Sequence, residues 1–305
     1  MSPGSPSSLH PELLAWYREN GRDLPWRRTR DPYAVLVSEV MLQQTQVDRV
    51  IPKYEEFLER FPDVGSLARA AAGDVIRAWS PLGYNMRAVR LHRAVQAIVE
   101  RYGGRFPTDL AEIKSLPGVG DYTAAAVACF ALGSQVPTVD TNVRRVLGRV
   151  LEGHDDVTPK AARMLAERAL PKHRAYEWNQ ALMDLGATVC VARAPRCHAC
   201  PFETHCLAAP AFSSGMPRAA ESKAAYRTKA FRGSRRYFRG RVVDRLRTLD
   251  AGVTLTIPEL ASTLGAEVEP PGLPWLRDLL AELDRDGLVR VVAADDDAEA
   301  RVSLP

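Results

Sequence analysis

The chain has 305 residues, 46% hydrophobic and 26% charged, and its 41 Lys and Arg against 37 Asp and Glu give a net charge of +4. This balance is typical of a globular protein and excludes an intrinsically disordered or membrane-embedded chain. The length favours two domains. Since the opening residues show no basic segment followed by an apolar one, we predict a cytoplasmic protein with no membrane partner.

Helical patterns dominate the first two hundred residues and predict a mostly α fold. Residues 10–21 and 85–104 each repeat apolar residues at intervals of three and four before a glycine. Residues 31–50, DPYAVLVSEVMLQQTQVDRV, predict one largely buried helix. Residues 115–133 predict two helices joined by a glycine-rich turn, a helix–hairpin–helix. A further helix is expected to start at or near Asp140.

The composition changes after Cys206. Residues 218–247 contain eleven Lys or Arg against two acidic residues, which suits either a polyanion partner or a solvated linker. We predict one domain over residues 8–210, a basic linker over 211–235 and a second domain over 236–305. The second domain has the order helix, helix, helix, hairpin, as in a winged helix, with the hairpin turning at Asp295, Asp296 and Asp297.

Four of the five cysteines lie within 17 residues, at Cys190, Cys197, Cys200 and Cys206. In a reducing compartment such a group predicts metal binding rather than disulfides. Thiolates are soft ligands, so a structural zinc and an iron–sulfur cluster are both open. The wide spacing, with six, two and five intervening residues, favours the cluster.

The turn LPGVG predicts a contact with phosphates through its backbone, at Leu116, Gly118, Val119 and Gly120. Glycines let amide groups of the turn and of the following helix point outward, where a phosphate oxygen accepts from them. Such a contact holds a nucleic-acid backbone without distinguishing its sequence. A Pro-Gly turn that only connects two helices is the alternative.

Two carboxylates predict acid catalysis. Glu39 lies in the apolar context VLVSEVML, which would raise its pKa, and Asp140 opens a helix, where the dipole favours an anion. One carboxyl ready to protonate and one held charged is what cleavage of a glycosidic bond requires. The alternatives are that Asp140 only caps its helix and that Glu39 is neutralised by Arg27 or Arg28.

Together these segments resemble the catalytic half of MutY-type adenine DNA glycosylases, of the helix–hairpin–helix, endonuclease III-like superfamily, over residues 10–210. The motifs are DLPWRRTRDPYAVLVSEVMLQQTQVDRVIPKY, SPLGYNMRAVRLH, SLPGVGDYTAAAVACFALG, VDTNVRRVL, WNQALMDLGATVC and the cysteine loop. The resemblance implies a [4Fe-4S] cluster on the four cysteines. It also implies a monomer that acts on mismatched or damaged double-stranded DNA at the nucleoid, and flips out its target base.

The resemblance assigns roles to single residues. Glu39 would protonate the departing base, Asp140 would stabilise the sugar cation, and Asn142 follows in the same motif. The remaining assignments are Trp26, Arg27 and Gln44 in the base pocket, with Asp184 grouped with them, and Gln43 and Tyr84 wedged into the duplex. Tyr122 stands where the bifunctional branch has a lysine nucleophile, which implies a monofunctional enzyme.

Three departures leave the target base open. Asn85 replaces the second aromatic residue of the usual Gly-Tyr-Tyr, and Asp184 stands where many relatives have glutamate. The second domain does not resemble the Nudix-like domain that recognises 8-oxoguanine in typical relatives. Thymine, uracil or hypoxanthine glycosylases and a non-catalytic cluster-containing DNA-binding protein are the alternatives. The second domain either contacts the duplex or only packs on the first domain or binds a partner protein.

Overall fold

A computed structural model describes residues 8–213, 233–264, 272–293 and 299–305. Over these residues it is mostly helical, which confirms the predicted class. The helices in chain order are α1 Leu9–Asn20, α2 Pro32–Leu42, α3 Val47–Arg60, α4 Val64–Arg69, α5 Ala72–Ala78, α6 Met86–Tyr102, α7 Leu110–Lys114, α8 Asp121–Phe130, α9 Thr141–Leu151, α10 Pro159–Ala169, α11 Ala175–Thr188, α12 Ala209–Ser213, α13 Arg235–Arg247, α14 Ile257–Leu264 and α15 Gly272–Asp286. The strands are β1 Leu255–Thr256, β2 Arg290–Val292 and β3 Arg301–Ser303.

The residues form two compact units. Among the described residues, the first unit comprises 8–39, 107–115 and 119–213, and the second comprises 40–106, 116–118 and everything from 233 onward. The domain limits expected from the sequence stay a prediction. None of the described helices is long and apolar enough to cross a bilayer.

In the first unit, helices begin and end at residues whose chemistry explains the boundary. Asp140 caps α9 by accepting a hydrogen bond from the Val143 amide, as the sequence predicts. Thr158 caps α10 in the same way, and Pro159 occupies the first helical position, where its missing N–H costs nothing. Such caps fix where α9 and α10 start, and so fix which side chains stand at their amino ends.

The single helix predicted over residues 31–50 is wrong. The structure ends α2 at Leu42 and begins α3 at Val47, with Gln44 between them in the left-handed region, at φ 55°. The four residues between the two helices are Gln43, Gln44, Thr45 and Gln46, with no glycine or proline, so the sequence gives no breaker signal for the turn. The turn ends α2 only three residues after Glu39.

In the second unit, the C-terminal region, meaning the described residues from 233 onward, has the architecture expected of a winged helix. Helices α13, α14 and α15 pack beside an antiparallel sheet in the order β1-β3-β2, and Val302 of β3 pairs with both Leu255 and Val291. The predicted basic linker lies largely outside the described residues, as does the turn at Asp295, Asp296 and Asp297.

Candidate active site

Glu39 is buried in α2 and keeps its proton near neutral pH. Burial raises the pKa of its carboxyl from 4.5 to about 7, against a hydrogen bond that Tyr122 donates to it. Burial and the neighbouring carboxylates raise the pKa of Tyr122 well above 10, so the phenol stays protonated and remains a donor. The pair holds a proton where a reacting group could take it.

Asp140 lies close enough to Glu39 for its charge to raise the pKa of that carboxyl further. Its own side chain accepts from the Val143 amide at 2.7 Å and from Asn142 Nδ2 at 2.9 Å. Both donors belong to the first turn of α9, where the positive end of the helix dipole lies beside the Asp140 side chain. Asp140 therefore caps its helix and also lies near Glu39.

Arg27 acts on Glu39 through its charge, which lowers the pKa of Glu39, while its hydrogen bonds go elsewhere. Its two terminal nitrogens each donate to Asp184 at 2.8 Å. Asp184 is fully buried and also accepts from the Arg22 side chain at 2.7 Å. Although burial opposes ionisation, these contacts lower the pKa of Asp184 and fix Arg27 in place. The proposed neutralisation of Glu39 by an ion pair with Arg27 is not what the structure has.

A chain of hydrogen bonds extends from Asp140 away from Glu39. Asn142 Oδ1 accepts from Arg145 Nη2 at 2.8 Å, and Arg145 Nε donates to the Cys190 carbonyl at 2.8 Å. Arg145 also donates to the Gly186 carbonyl at 2.7 Å, and a Cβ at Gly186 would lie 2.6 Å from Asn142 Cβ. The cysteine loop and Asp140 are thus joined through the side chains of Asn142 and Arg145.

Trp26, predicted in the base pocket, lies in a 3-10 turn over Pro25–Arg27 and is 7% exposed. It belongs to the first unit, with Glu39 and Asp140. Its buried position agrees with the wall of a pocket and with core packing alike. Gln44, the other pocket residue expected from the resemblance, belongs to the second unit.

In the second unit, Arg87 joins the two segments that carry the predicted wedge residues. Its Nη1 donates to the Gln43 carbonyl at 2.5 Å and to the Met41 carbonyl at 2.8 Å, at the carboxyl end of α2. Its Nη2 donates to the Gly83 carbonyl at 3.2 Å, and its guanidinium lies 5.4 Å from the Tyr84 ring. Burial lowers the pKa of Arg87 to about 10, so it stays charged at neutral pH.

Tyr84 itself lies at the surface, on a loop with an unusual backbone conformation. Its ring is 46% exposed, and its backbone has φ 47°, a conformation that non-glycine residues seldom adopt. The preceding Gly83 carbonyl accepts from Trp79 Nε1 at 3.1 Å. An exposed aromatic ring on a constrained loop is suited to insertion between bases.

In the LPGVG turn, two apolar residues are buried and the two glycines are exposed. Leu116 and Val119 are buried, whereas Gly118 and Gly120 are exposed. Gly118 has φ 76°, and a Cβ there would lie 2.7 Å from Arg90 Cβ, so only glycine fits. Gly120 precedes α8, whose first amides have no carbonyl within the helix to bind.

Known proteins are similar to this chain over most of its length. The HhH-GPD superfamily of base excision DNA repair proteins matches residues 37–172. The chain is 45% identical over 251 residues to the adenine DNA glycosylase of Mycobacterium tuberculosis, a match that covers 79% of each protein. The chain belongs to the adenine DNA glycosylase family.

Two solved structures share the fold. A thermostable thymine-DNA glycosylase is 31% identical, with a TM-score of 0.65 over 68% of this chain and 97% of that one. A non-covalent endonuclease III–DNA complex is 21% identical, with a TM-score of 0.61 over 69% of this chain and 99% of that one. The second likeness concerns the fold alone.

The four cysteines line one cavity of about 370 Å³, which includes its open mouth, and none of them forms a disulfide. Arg149 Nη1 approaches the Cys190 sulfur at 3.5 Å, and the Cys206 thiol donates to the Arg149 carbonyl at 3.4 Å. No group of three His, Cys, Asp or Glu is placed to hold a single metal ion in the described part of the chain. Four free thiols around one cavity fit the donor set of an iron–sulfur cluster.

Sequence reasoning missed three arginines that hold in place the segments carrying the predicted site residues. Arg22, Arg87 and Arg145 donate mainly to carbonyls or to one buried carboxylate, and a carbonyl acceptor has no signature in the sequence. One signal was available for Arg87, because it occupies the buried face of α6 four residues before Leu91. A charge on the apolar face of a helix indicates a buried partner.

Proposed function

We propose that this chain is a monofunctional DNA glycosylase that extrudes an adenine paired with 8-oxoguanine or guanine and hydrolyses its N-glycosidic bond. The observation that carries the proposal is the group of Glu39, Tyr122 and Asp140, in which Glu39 keeps a proton, accepts a hydrogen bond from Tyr122 and lies close to Asp140. Membership of the adenine glycosylase family supports adenine as the base.

In the proposed reaction, Glu39 transfers its proton to a ring nitrogen of the base. The C1′–N bond then breaks, and its electron pair leaves with the base. Asp140 stabilises the positive charge that develops on the sugar. Water adds to C1′, and its proton passes to the Glu39 carboxylate, which restores the starting state. The phenol of Tyr122 orients Glu39 and is no Schiff-base nucleophile, so the product is an abasic site in an intact strand.

The rest of the site would hold the substrate. The duplex has to release its base into the pocket, where Arg27, fixed by Asp184, adds a charge beside Glu39. Gln43 and Tyr84 would fill the space left in the stack. The exposed backbone amides at Gly118 and Gly120 would donate hydrogen bonds to phosphate oxygens of the DNA backbone, without sequence preference.

We also propose that Cys190, Cys197, Cys200 and Cys206 hold a [4Fe-4S] cluster. When bound, the cluster would act structurally, by tying residues 190–206 into a rigid loop. The hydrogen bonds from Arg145 to the Cys190 carbonyl and to Asn142 would pass this order to Asp140. The purified protein should be yellow-brown and contain iron and acid-labile sulfide, and zinc in their place would refute this assignment.

A single-turnover assay tests the proposed function. Duplexes would carry adenine, thymine, uracil or hypoxanthine opposite 8-oxoguanine, guanine or cytosine, and products would be resolved with and without hot alkali. We expect adenine release opposite 8-oxoguanine and guanine, with strand breaks only after alkali. Release of thymine or uracil alone would establish the alternative target, and strand breaks without alkali would establish a lyase.

A further inference from the structure

We infer that the C-terminal region positions the Tyr84 loop, the segment of residues 80–85 between α5 and α6, and that it acts through Arg236 and Arg247 of α13. The inference rests on the proposed function, because that function gives Tyr84 its place in the duplex. It concerns a region beyond the family match, which ends at residue 172.

The C-terminal region and the helices on either side of this loop share one hydrophobic core. Ile76 of α5 and Val89 of α6 are buried in the same cluster as Phe238, Val242 and the other apolar residues of α13–α15. Met86, the first residue of α6, packs against this cluster too. Because cores are close-packed, a shift of α13 would be transmitted to both helices.

Polar contacts tie the same elements together. The Gly73 amide of α5 donates to the Pro305 carbonyl at 2.7 Å, and Arg93 of α6 donates to the Asp286 carbonyl at 3.1 Å. A Cβ at Gly73 would lie 2.8 Å from that Pro305 oxygen, so the approach is as close as a glycine permits. The C-terminal region is therefore fixed against α5 and α6, and is no freely tethered module.

Two arginines of α13 contact two successive residues of the loop. The Arg236 guanidinium lies 4.6 Å from the centroid of the Tyr84 ring, a cation–π distance. Arg247 Nη2 donates to Asn85 Oδ1 at 2.6 Å, and Arg247 Nε donates to the Ile76 carbonyl at 3.1 Å. One helix thus holds the aromatic ring and the backbone segment that supports it.

The contact that Asn85 makes accounts for an asparagine at the position where the family pattern has a second aromatic residue. It precedes α6 at the N-cap position, yet its side chain makes no capping hydrogen bond and accepts from Arg247. A tyrosine at this position has no acceptor oxygen so close to the backbone. The substitution of the second aromatic residue and the presence of α13 are therefore parts of one arrangement.

A positioned wedge matters because unstacking a duplex costs free energy that only a correctly placed ring returns. Tyr84 combines a strained backbone with a ring that is half exposed, so its orientation depends on what contacts it. Loss of the Arg236 contact would let the ring sample other rotamers, and the cost would appear when the ring has to enter the duplex.

Binding by a protein with Glu39→Gln tests this inference, because that background retains the duplex without excision. The probe is 2-aminopurine placed beside an adenine·8-oxoguanine or a guanine·thymine mispair, whose fluorescence rises on unstacking. Arg236→Ala, on an exposed side chain, should lower affinity for the mispair relative to a matched duplex about three- to fivefold, with reduced fluorescence. Arg241→Ala, on the same helix, is the matched control and should leave both values unchanged.

A double-mutant cycle decides between positioning and general charge. In a Tyr84→Ala background, Arg236→Ala should have no further effect. Asn85→Ala should reproduce the loss and Asn85→Asp, which keeps an acceptor for Arg247, should restore it. An undiminished loss in the Tyr84→Ala background, or an equal loss with Arg241→Ala, would overturn the inference. Failure of the wild type to excise adenine would instead refute the proposed function, since the fluorescence assay requires no excision.

Discussion

Around Glu39, charged side chains are buried, whereas in the C-terminal region they lie at the surface over an apolar interior. Glu39 and Asp184 are 6% and 0% exposed, and the C-terminal core consists of side chains such as Leu279 and Leu283. Burying a charge costs free energy that apolar packing does not. The comparison indicates that the buried charges around Glu39 serve a chemical role, whereas the apolar interior of the C-terminal region serves to hold its shape.

The two buried carboxylates near the proposed base pocket sharpen this contrast. Burial and the neighbouring charge of Asp140 raise the pKa of Glu39 to about 7, although Tyr122 donates to it. The pKa of Asp184 is lowered, because two arginines outweigh its burial. Glu39 can exchange a proton at neutral pH, whereas Asp184 stays an anion that positions Arg27. Burial alone therefore does not determine whether a carboxyl keeps its proton, because the charged and hydrogen-bonding partners also shift its pKa.

The largest expected effect is that of Glu39→Gln on excision. The amide cannot transfer a proton, so the single-turnover rate should fall by about 10³-fold, within the usual range for loss of a general acid. DNA affinity should be retained. Gel-based excision and fluorescence anisotropy on one mispaired duplex measure the two quantities, with Glu59→Gln, at a residue on α3, as the matched control. Excision within tenfold of the wild type would show that Glu39 is not the acid.

The same variant should be more stable than the wild type at high pH. The pKa of Glu39 is raised from 4.5 to about 7 on folding, so its contribution to stability is full below pH 4.5 and is lost as the pH rises through about 7. At about 1.4 kcal/mol per pKa unit, ionising Glu39 at pH 8 costs roughly 3 kcal/mol. Urea unfolding should show a gain of roughly 3 kcal/mol for Glu39→Gln at pH 8, which shrinks to below about 1 kcal/mol at pH 5.

An effect of comparable size on stability is expected for Asp184→Asn. This change leaves Arg27 and Arg22 without their shared carboxylate in a buried site, and breaking such a group costs about 3–5 kcal/mol. Asp23→Asn is the matched control, since Asp23 pairs with Arg28 where both side chains are largely exposed. Thermal and urea unfolding compare the two variants. Equal small losses of stability would mean that the buried pairs of Asp184 with Arg22 and Arg27 contribute no more than the exposed pair of Asp23 with Arg28.

A smaller effect concerns the pH profile. The acid form of Glu39 is required, so the excision rate should be level below about pH 7 and fall tenfold per unit above it. Tyr122→Phe removes the donor that lowers the pKa of Glu39, so the bend should move to higher pH. Single-turnover rates between pH 5.5 and pH 9 on one duplex measure both profiles. A bend that stays in place, or moves to lower pH, would contradict the hydrogen bond.

The individual parts of the catalytic group could be predicted from the sequence, but their meeting could not. The apolar context of Glu39 predicts its burial, and the position of Asp140 before a helix predicts its cap. That Tyr122 donates to Glu39 depends on how α2 and α8 are arranged in the first unit, which no local pattern contains. The resemblance placed the residues together; their coupling comes from the structure.

The same division holds elsewhere. Alternating apolar residues and turn signals predict the order of helices and strands in the C-terminal region, because each element has its own period. The turn at Gln44 was missed, since residues 43–46 contain neither glycine nor proline to mark it. Arg87 stabilises that turn by donating to carbonyls of α2, and such contacts leave no trace in residue type.

The smallest expected effect separates shape from chemistry in the C-terminal region. In a winged helix that binds DNA, the third helix lies in the major groove, and here that helix would be α15. Its Glu282 pairs with Arg235 at 2.8 Å and its Asp286 pairs with Arg239, so α15 directs carboxylates toward α13.

A phosphate contact by a single arginine contributes about one to the slope of log K against log salt. Arg285→Ala on α15 should therefore leave the slope unchanged, as measured by anisotropy on a matched duplex from 50 to 200 mM salt, with the folding of the variant checked by thermal unfolding. A slope reduced by about one would place α15 on the duplex and would make the C-terminal region a DNA-binding element in its own right.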